Sequence, residues 1–418
     1  MKIYLKLFLF LLLIYSCNNQ RLTTLTGLIY GTTYNIQFYS SSYENYSKEI
    51  DNIFNEIDNS MSTYKSNSII SKVNNNQLVR IDYHFKNVFN SSKKVYQKTM
   101  GRFDPSVGLL VNYWGFGSKK FVANPKFKSE DELFNLLLKV GLDKFEINDD
   151  KLKRPLDSYI DFNAIAKGYA VDQVGSFLKS KQVDNYLVEI GGEINASGIN
   201  LNKNKPWVIA IDMPRFDGDR SIHSTLELNN NSLASSGNYR KFKIDSLGNR
   251  YAHIINPLTG YPTRTKILSV TIKSKECVYA DAYATAFHTM SISQIEEFLE
   301  NSRDMSALVI YENSNKELTE LNFVLGDEVT GDLSMRVKNV SWLEVFDMVL
   351  REKNLIHDVN ESGTVITVHT HEFASQQSTS YEAALQSKIK VINSLSGLEA
   401  KTTAIFKLNY TKPDIVAK

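Results

Sequence analysis

Apolar side chains recur along this chain with two alternating periods, and the changes of period mark its elements. In "YSKEIDNIFNEIDNSM" the residues Ile50, Ile53, Phe54 and Ile57 fall on one helical face. Further helices are predicted at "HFKNVFNSSKKVYQKT" and at "KSEDELFNLLLKVG", the second with Ser129 as N-cap and Gly141 as its stop. Extended segments read from "LTGLIYGTTYNIQFY", "NYLVEI", "WVIAID", "STLELN" and "LSVTIKS", with a helix in "IAKGYAVDQVGSFLKS" among them. "YADAYATAFHTM", residues 279–290, reads as a packed helix, and "SALVIYE" as the strand that finishes the sheet. This interleaving predicts an α+β (mixed α/β) body from about residue 24 to about residue 315.

Near residue 318 the pattern changes to a strand, an amphipathic helix beginning at Ser341, two short strands and a long polar helix near "STSYEAALQSKIKVINSL". The predicted plan is a leader over residues 1–17, a body over 18–317 and an appendage over 318–418. The leader places Lys2 and Lys6 before an apolar run from Leu7 to Ile14, too short to span a bilayer and suited to a signal-peptide core. Its end, "IYSC", resembles a bacterial lipobox, which makes Cys17 the lipidated N-terminus of a protein anchored in the cell envelope. A buried first strand with an incidental cysteine is the plain alternative. Cys277 is the only other cysteine, so the mature chain has no disulfide framework and Cys277 reads as a small core residue.

Charge narrows the partners. Forty-eight basic and 46 acidic residues nearly cancel, so composition gives no support for a nucleic-acid partner held on a basic surface.

The chemistry-bearing stretches lie between the apolar segments. Asp281 sits among small and aromatic residues, with Thr285 at the spacing that stacks two side chains on one helical face. A buried carboxylate is unfavourable unless paired, and no Lys or Arg lies within one turn on either side. Its partner therefore comes from elsewhere in the chain or is a metal. "GRFDPSVGLLVNYWGFG" carries Asp104 before a proline, and "DFNAIAKGYAVDQV" sets Lys167 and Gly168 at a helix start, where N–H groups and a cation face a phosphate. "EIGGEINASG" and "LASSGNYRKF" supply glycines and hydroxyls, and "YAHIINPLTGYPT" supplies His253 before a turn. Each alone has a plain structural reading: a capping Asp, a solvated Lys, a loop, a structural His.

In order and spacing, however, these stretches together with "GTTYNIQ" and "MSTYKSNSIISKVN" resemble the signature segments of the ApbE-type FAD:protein FMN transferases, over about residues 25–312. The resemblance implies Mg²⁺ held by Asp281, Thr285 and the carbonyl of Ala164, a hard-oxygen set suited to that ion. It also implies flavin contacts at Tyr30, Tyr64, Arg102, Phe103, Asp104, Asp161, Lys167 and Ile255. FAD is then the substrate, and FMN passes to a Thr or Ser hydroxyl of an envelope acceptor protein as AMP leaves. Lys167 adds a positive contact, and His253 and Asp281 both stand as candidates for deprotonating the hydroxyl. Three positions depart from the family pattern: Tyr30 for Met, Asn163 for a small residue, and Asn256 for Asp. Two other readings share these motifs, an Mg²⁺-dependent FAD pyrophosphatase giving FMN and AMP, and a non-catalytic flavin-binding envelope protein. The appendage resembles part of the N-terminal domain of a type IV pilus secretin, with "VKNVSWLEVFDMVL" its most specific piece.

Overall fold

The computed structural model describes residues 20–41, 45–117, 129–215, 221–238, 242–244, 250–263, 266–302, 304–312, 318–325, 350, 355–359 and 365–370. The leader with Cys17, the helix expected from Ser341 and the long polar helix near the C-terminus lie outside the described residues. Contacts divide the chain into two compact units, residues 1–324 with 359–366, and residues 325–358 with 367–418.

The first unit opens with the hairpin β1 (Arg21–Ile29) and β2 (Thr32–Ser40). Helices α1 (Ser47–Met61), α2 (Ile69–Asn74), α3 (Tyr83–Lys98), α4 (Gly108–Tyr113) and α5 (Glu130–Leu137) follow, then the small hairpin β3 (Glu146–Asn148) and β4 (Lys151–Lys153). Next come α6 (Ala166–Ser180), β5 (Tyr186–Ile190), β6 (Glu193–Ser197), β7 (Trp207–Asp212), β8 (Ile222–Leu228), β9 (Asn231–Gly237), β10 (Phe242–Ile244) and β11 (Arg250–Ala252). The unit closes with β12 (Ile267–Ser274), α7 (Cys277–Phe287), α8 (Ile292–Glu300), β13 (Met305–Glu312) and β14 (Leu318–Leu325). Beyond it, β15 (Leu355–Val359) and β16 (Val365–Thr370) are the strands described.

The central sheet of the first unit runs β1-β2-β5-β6-β9-β12-β13-β14, every neighbouring pair antiparallel. Strand side chains alternate between its faces. Phe38, Val188 and Ala234 join the core under α1, α3, α6 and α7, whereas their neighbours Tyr39, Leu187 and Leu233 join a second core under the β7–β8 hairpin. A third, smaller core joins Leu110 and Tyr113 of α4 to Leu133 of α5 and to Ile255.

Several expectations change here. "EIGGEINASG" and "LASSGNYRKF", which are not among the predicted strands and for which a loop is the plain alternative, contribute to β6 and β9 in the middle of the sheet. Small side chains are poor strand formers, but β9 lies under the alanine-rich α7, where they permit close approach of helix to sheet. Ser129 occupies the N-cap of α5 without a side-chain bond, and α5 stops at Leu137, short of Gly141. "SALVIYE" is β13, and it does not finish the sheet: β14 pairs with it from Ala307↔Phe323 to Glu312↔Leu318. A chain ending at residue 317 therefore exposes the edge of β13, whereas one ending at 325 keeps it paired. The shorter chain is expected to melt lower and to aggregate on concentration, read by a thermal scan with light scattering; equal melting of the two would show that β14 adds nothing to the body.

Candidate functional site

Two helices that do not cap themselves define the site. Neither Ile165 before α6 nor Glu276 before α7 gives a side-chain cap to its helix, so the first N–H groups of both need outside acceptors. Each helix supplies the other's. Asp281, one turn into α7, accepts the Gly168 N–H of α6 on Oδ2 at 3.0 Å. Asp172, on α6, accepts the Cys277 N–H on Oδ1 at 2.9 Å and the Val278 N–H on Oδ2 at 2.8 Å. Gly168 makes the crossing possible: a Cβ built there would lie 2.4 Å from the Cys277 carbonyl oxygen and 2.8 Å from Cβ of Asp281. The partner that the sequence left open for Asp281 is, within the protein, the helix start carrying Lys167 and Gly168.

Strand β6 completes the polar cluster from below. Glu193 and Asn195 are two apart and share a face of the strand. Glu193 Oε1 pairs with Lys167 Nζ, and Asn195 Nδ2 donates to Asp172 Oδ1 at 3.1 Å and to Ser232 Oγ at 2.9 Å. Glu193 is buried and its Oε2 has no hydrogen-bond partner among the described residues. Burial pushes the Glu193 carboxyl up to about 7 against the opposing pull of Lys167, and burial raises Asp281 as well, opposed by Lys167 and the Gly168 N–H. Desolvation acts to lower the Lys167 ammonium, but Glu193 and Asp281 outweigh it and hold the group above its usual range. Two carboxylates thus face one cation. Sequence reasoning missed Glu193 and Asp172, although both stand in stretches it singled out.

Thr285 lies one turn beyond Asp281, half-buried, and its hydroxyl has no hydrogen-bond partner among the described residues. Ala164 is half-buried just before α6. The i→i−4 pattern of a helix would direct the Gly168 N–H at its carbonyl, but that N–H goes to Asp281.

The C-terminal end of α7 gathers a second set. Arg102 Nη1 donates to the Thr289 carbonyl, and Thr289 Oγ1 donates to the Arg102 carbonyl at 3.2 Å. His288 is buried between the Ser236 carbonyl, 3.0 Å from Nε2, and Asn238 Nδ2, 3.0 Å from Nδ1. The carbonyl accepts only from an Nε2–H, so Nδ1 is the acceptor. Burial lowers this imidazole to about 4, with His253 adding to the effect. His288 is therefore neutral near pH 7 and lies close enough to His253 to feel its charge.

The remaining predicted residues divide. Phe103 and Ile255 are buried. Asp104 caps its own turn, accepting from Ser106 N at 2.8 Å and Ser106 Oγ at 2.6 Å, and ties that turn to the segment after α5 by accepting the Leu142 N–H at 3.2 Å. Tyr64 is 71% exposed and lies within electrostatic reach of Asp161, whose Oδ1 accepts the Asn163 N–H at 2.8 Å. Tyr30 takes a positive φ of 52° and donates its hydroxyl to the Phe54 carbonyl at 3.0 Å. Asn256 accepts the Leu258 N–H at 2.9 Å and shapes the turn after His253, a bond that needs an oxygen and no charge.

The ApbE family model matches residues 30–309. Over 304 residues the chain is 33% identical to the FAD:protein FMN transferase of Haemophilus influenzae, covering 69% of this chain and 87% of that relative. It is 34% identical over 275 residues to the Vibrio cholerae protein of the same name, covering 64% and 80%. The structure is similar to that of the flavin transferase ApbE from Vibrio cholerae, with a TM-score of 0.64 at 32% identity over 72% of this chain and 97% of that one. It is also similar to the apo form of the Pseudomonas stutzeri flavinyl transferase ApbE, with a TM-score of 0.65 at 26% identity over 72% and 95%.

Gly168→Ala puts a methyl against backbone, so overpacking of about 1–3 kcal/mol is expected to exceed the helix-propensity gain of up to about 1 kcal/mol. Urea unfolding should show a net loss, and unchanged stability would mean that the helices separate easily. Burial also raises Asp104 from 3.8 to about 6. The folded state then holds a proton that the unfolded state releases, so this group's contribution to stability falls as pH rises from about 4 to about 6, by up to about 3 kcal/mol. The stability difference between the wild type and Asp104→Asn should change across that window by denaturant titration; a constant difference would contradict the shift.

Proposed function

The chain belongs to the ApbE family, and on that premise we propose that it is an FAD:protein FMN transferase, anchored in the cell envelope through Cys17 and facing the periplasm. The carrying observation is the buried Lys167–Glu193–Asp281 cluster, within the matched residues and one negative charge in excess when all three groups are ionised. That excess supports a cation there, as do Glu193 Oε2 and the Thr285 hydroxyl, neither of which has a hydrogen-bond partner among the described residues. Asp281, Thr285 and the Ala164 carbonyl would hold Mg²⁺, an oxygen set that fits a hard ion. When bound, Mg²⁺ supplies positive charge against the pyrophosphate oxygens.

In the reaction, the acceptor hydroxyl oxygen attacks the flavin-side phosphorus of FAD. A phosphoester bond forms, the bond from that phosphorus to the bridging oxygen breaks, and AMP leaves. Lys167, fixed by Glu193, faces the charge that develops on the pyrophosphate. We assign the hydroxyl proton to His253, because Asp281 already holds the Gly168 N–H and serves as a cation ligand. The exposed Tyr64 and the half-buried Asp161 near it are proposed flavin contacts together with Tyr30, Arg102, Phe103, Asp104 and Ile255.

The test uses the chain without residues 1–17, FAD, Mg²⁺ and a periplasmic acceptor domain carrying a target threonine. Flavin fluorescence that stays with the acceptor in a denaturing gel, with one AMP per FMN, is the expected result. AMP with free FMN would favour the pyrophosphatase, and neither product would favour the binding protein. Asp281→Ala is expected to lower transfer at least about a hundredfold at fixed Mg²⁺, of the order seen when one preorganised charge-stabilising group is lost; full activity in that variant would overturn the assignment of the cluster.

A further inference from the structure

We propose that Asp172 is a positioning residue for the cation site, acting through the N-terminus of α7. The inference rests on the reading of Asp281, Thr285 and Ala164 as the proposed cation ligands. Two of these ligands ride on α7 and the third precedes α6, so their separation is set by how the two helix starts are joined. Four residues make that join. Gly168 and Asp172 lie one turn apart on α6, and Cys277 and Asp281 lie one turn apart on α7.

The two cross-bonds run in opposite directions, Gly168 N–H to Asp281 and the Cys277 and Val278 N–H groups to Asp172. Asp281 holds only one bond across the crossing, and a cation would draw on that same carboxylate. Asp172 holds two, with a third bond from Asn195 tying it to β6. Asp172 is thus the fixed end of the crossing. Without both of its oxygens the start of α7 loses up to two of the three bonds that tie it to α6, and the spacing of Asp281 and Thr285 from Ala164 is no longer fixed.

The experiment reads Mg²⁺ binding to the mature chain as the rise in melting temperature with Mg²⁺, in the absence of FAD and acceptor. Asp172→Asn keeps the size of the side chain and removes one of the two acceptor oxygens. Ser291→Ala removes a cap of α8, whose hydroxyl accepts the Gln294 N–H at 3.3 Å, and serves as a control for general destabilisation. Both variants are expected to lower the metal-free melting temperature. Only Asp172→Asn is expected to raise the Mg²⁺ midpoint, by about tenfold, as found for losses in the outer shell of metal sites. Should Asp172→Asn fail to fold, Asp172→Glu, which keeps both oxygens one methylene farther out, is expected to show the same displaced midpoint. An unchanged midpoint in the Asp172 variant, an equal change in Ser291→Ala, or no Mg²⁺ effect on the wild type would each overturn the proposal. A wild type that binds Mg²⁺ but transfers no FMN would sink the transferase reading alone.

Discussion

The crossing of α6 and α7 at their N-termini is the constraint on which the site depends. Helix starts leave N–H groups unsatisfied, and α3 and α8 answer this locally, with Asp82 and Ser291. At α6 and α7 the acceptors are on the opposite helix, so neither start is complete until the two have met. The bonds hold only at short range, and Gly168 is what permits that range. Carboxylates there also face the positive ends of both helix dipoles, which offsets part of the cost of removing them from water. Burial still leaves Asp172 raised to about 7 despite its hydrogen bonds.

The same arrangement governs how a pyrophosphate would be received. A bare helix start is an anion site, and the sequence at Lys167 and Gly168 invites that reading. In the folded chain the Gly168 N–H is taken by Asp281 and Lys167 is taken by Glu193. A pyrophosphate brought to this place meets carboxylates at the helix starts. Within the proposed reaction, a divalent cation held at Asp281 would offset that negative charge, so the proposed metal site and the reciprocal caps have one origin.

The site was legible in sequence where a residue was out of keeping with its element. Asp281 in an alanine-rich helix has that property, and so does Thr285 one turn on. Glu193 does not: an acidic residue at the start of a strand after two glycines is ordinary, and its partner Lys167 is 26 positions away in sequence. Asp172 is equally plain on an amphipathic helix. Its role appears only when the distant N-terminus of α7 is brought onto it, a long-range contact that no local pattern encodes. Asp104 shows the reverse in part: the reading of a turn-capping carboxylate matches its two bonds from Ser106, whereas its bond from the distant Leu142 N–H lies outside any local pattern.

For the fold, helices with a clear apolar stripe were readable from period alone, as were the Val- and Ile-rich strands, whereas β6 and β9 were not. Residues such as Ser232, Ala234 and Ser236 carry no strand signal by propensity. They occupy the sheet because α7 lies over it, and a larger side chain at Ala234 would push away the helix that carries Asp281. Ser232 also receives Asn195, and Asn195 holds Asp172. The weak strand pattern and the polar network are therefore one requirement seen twice: the centre of the sheet is built from small and hydroxylated residues so that two helix starts can meet above it.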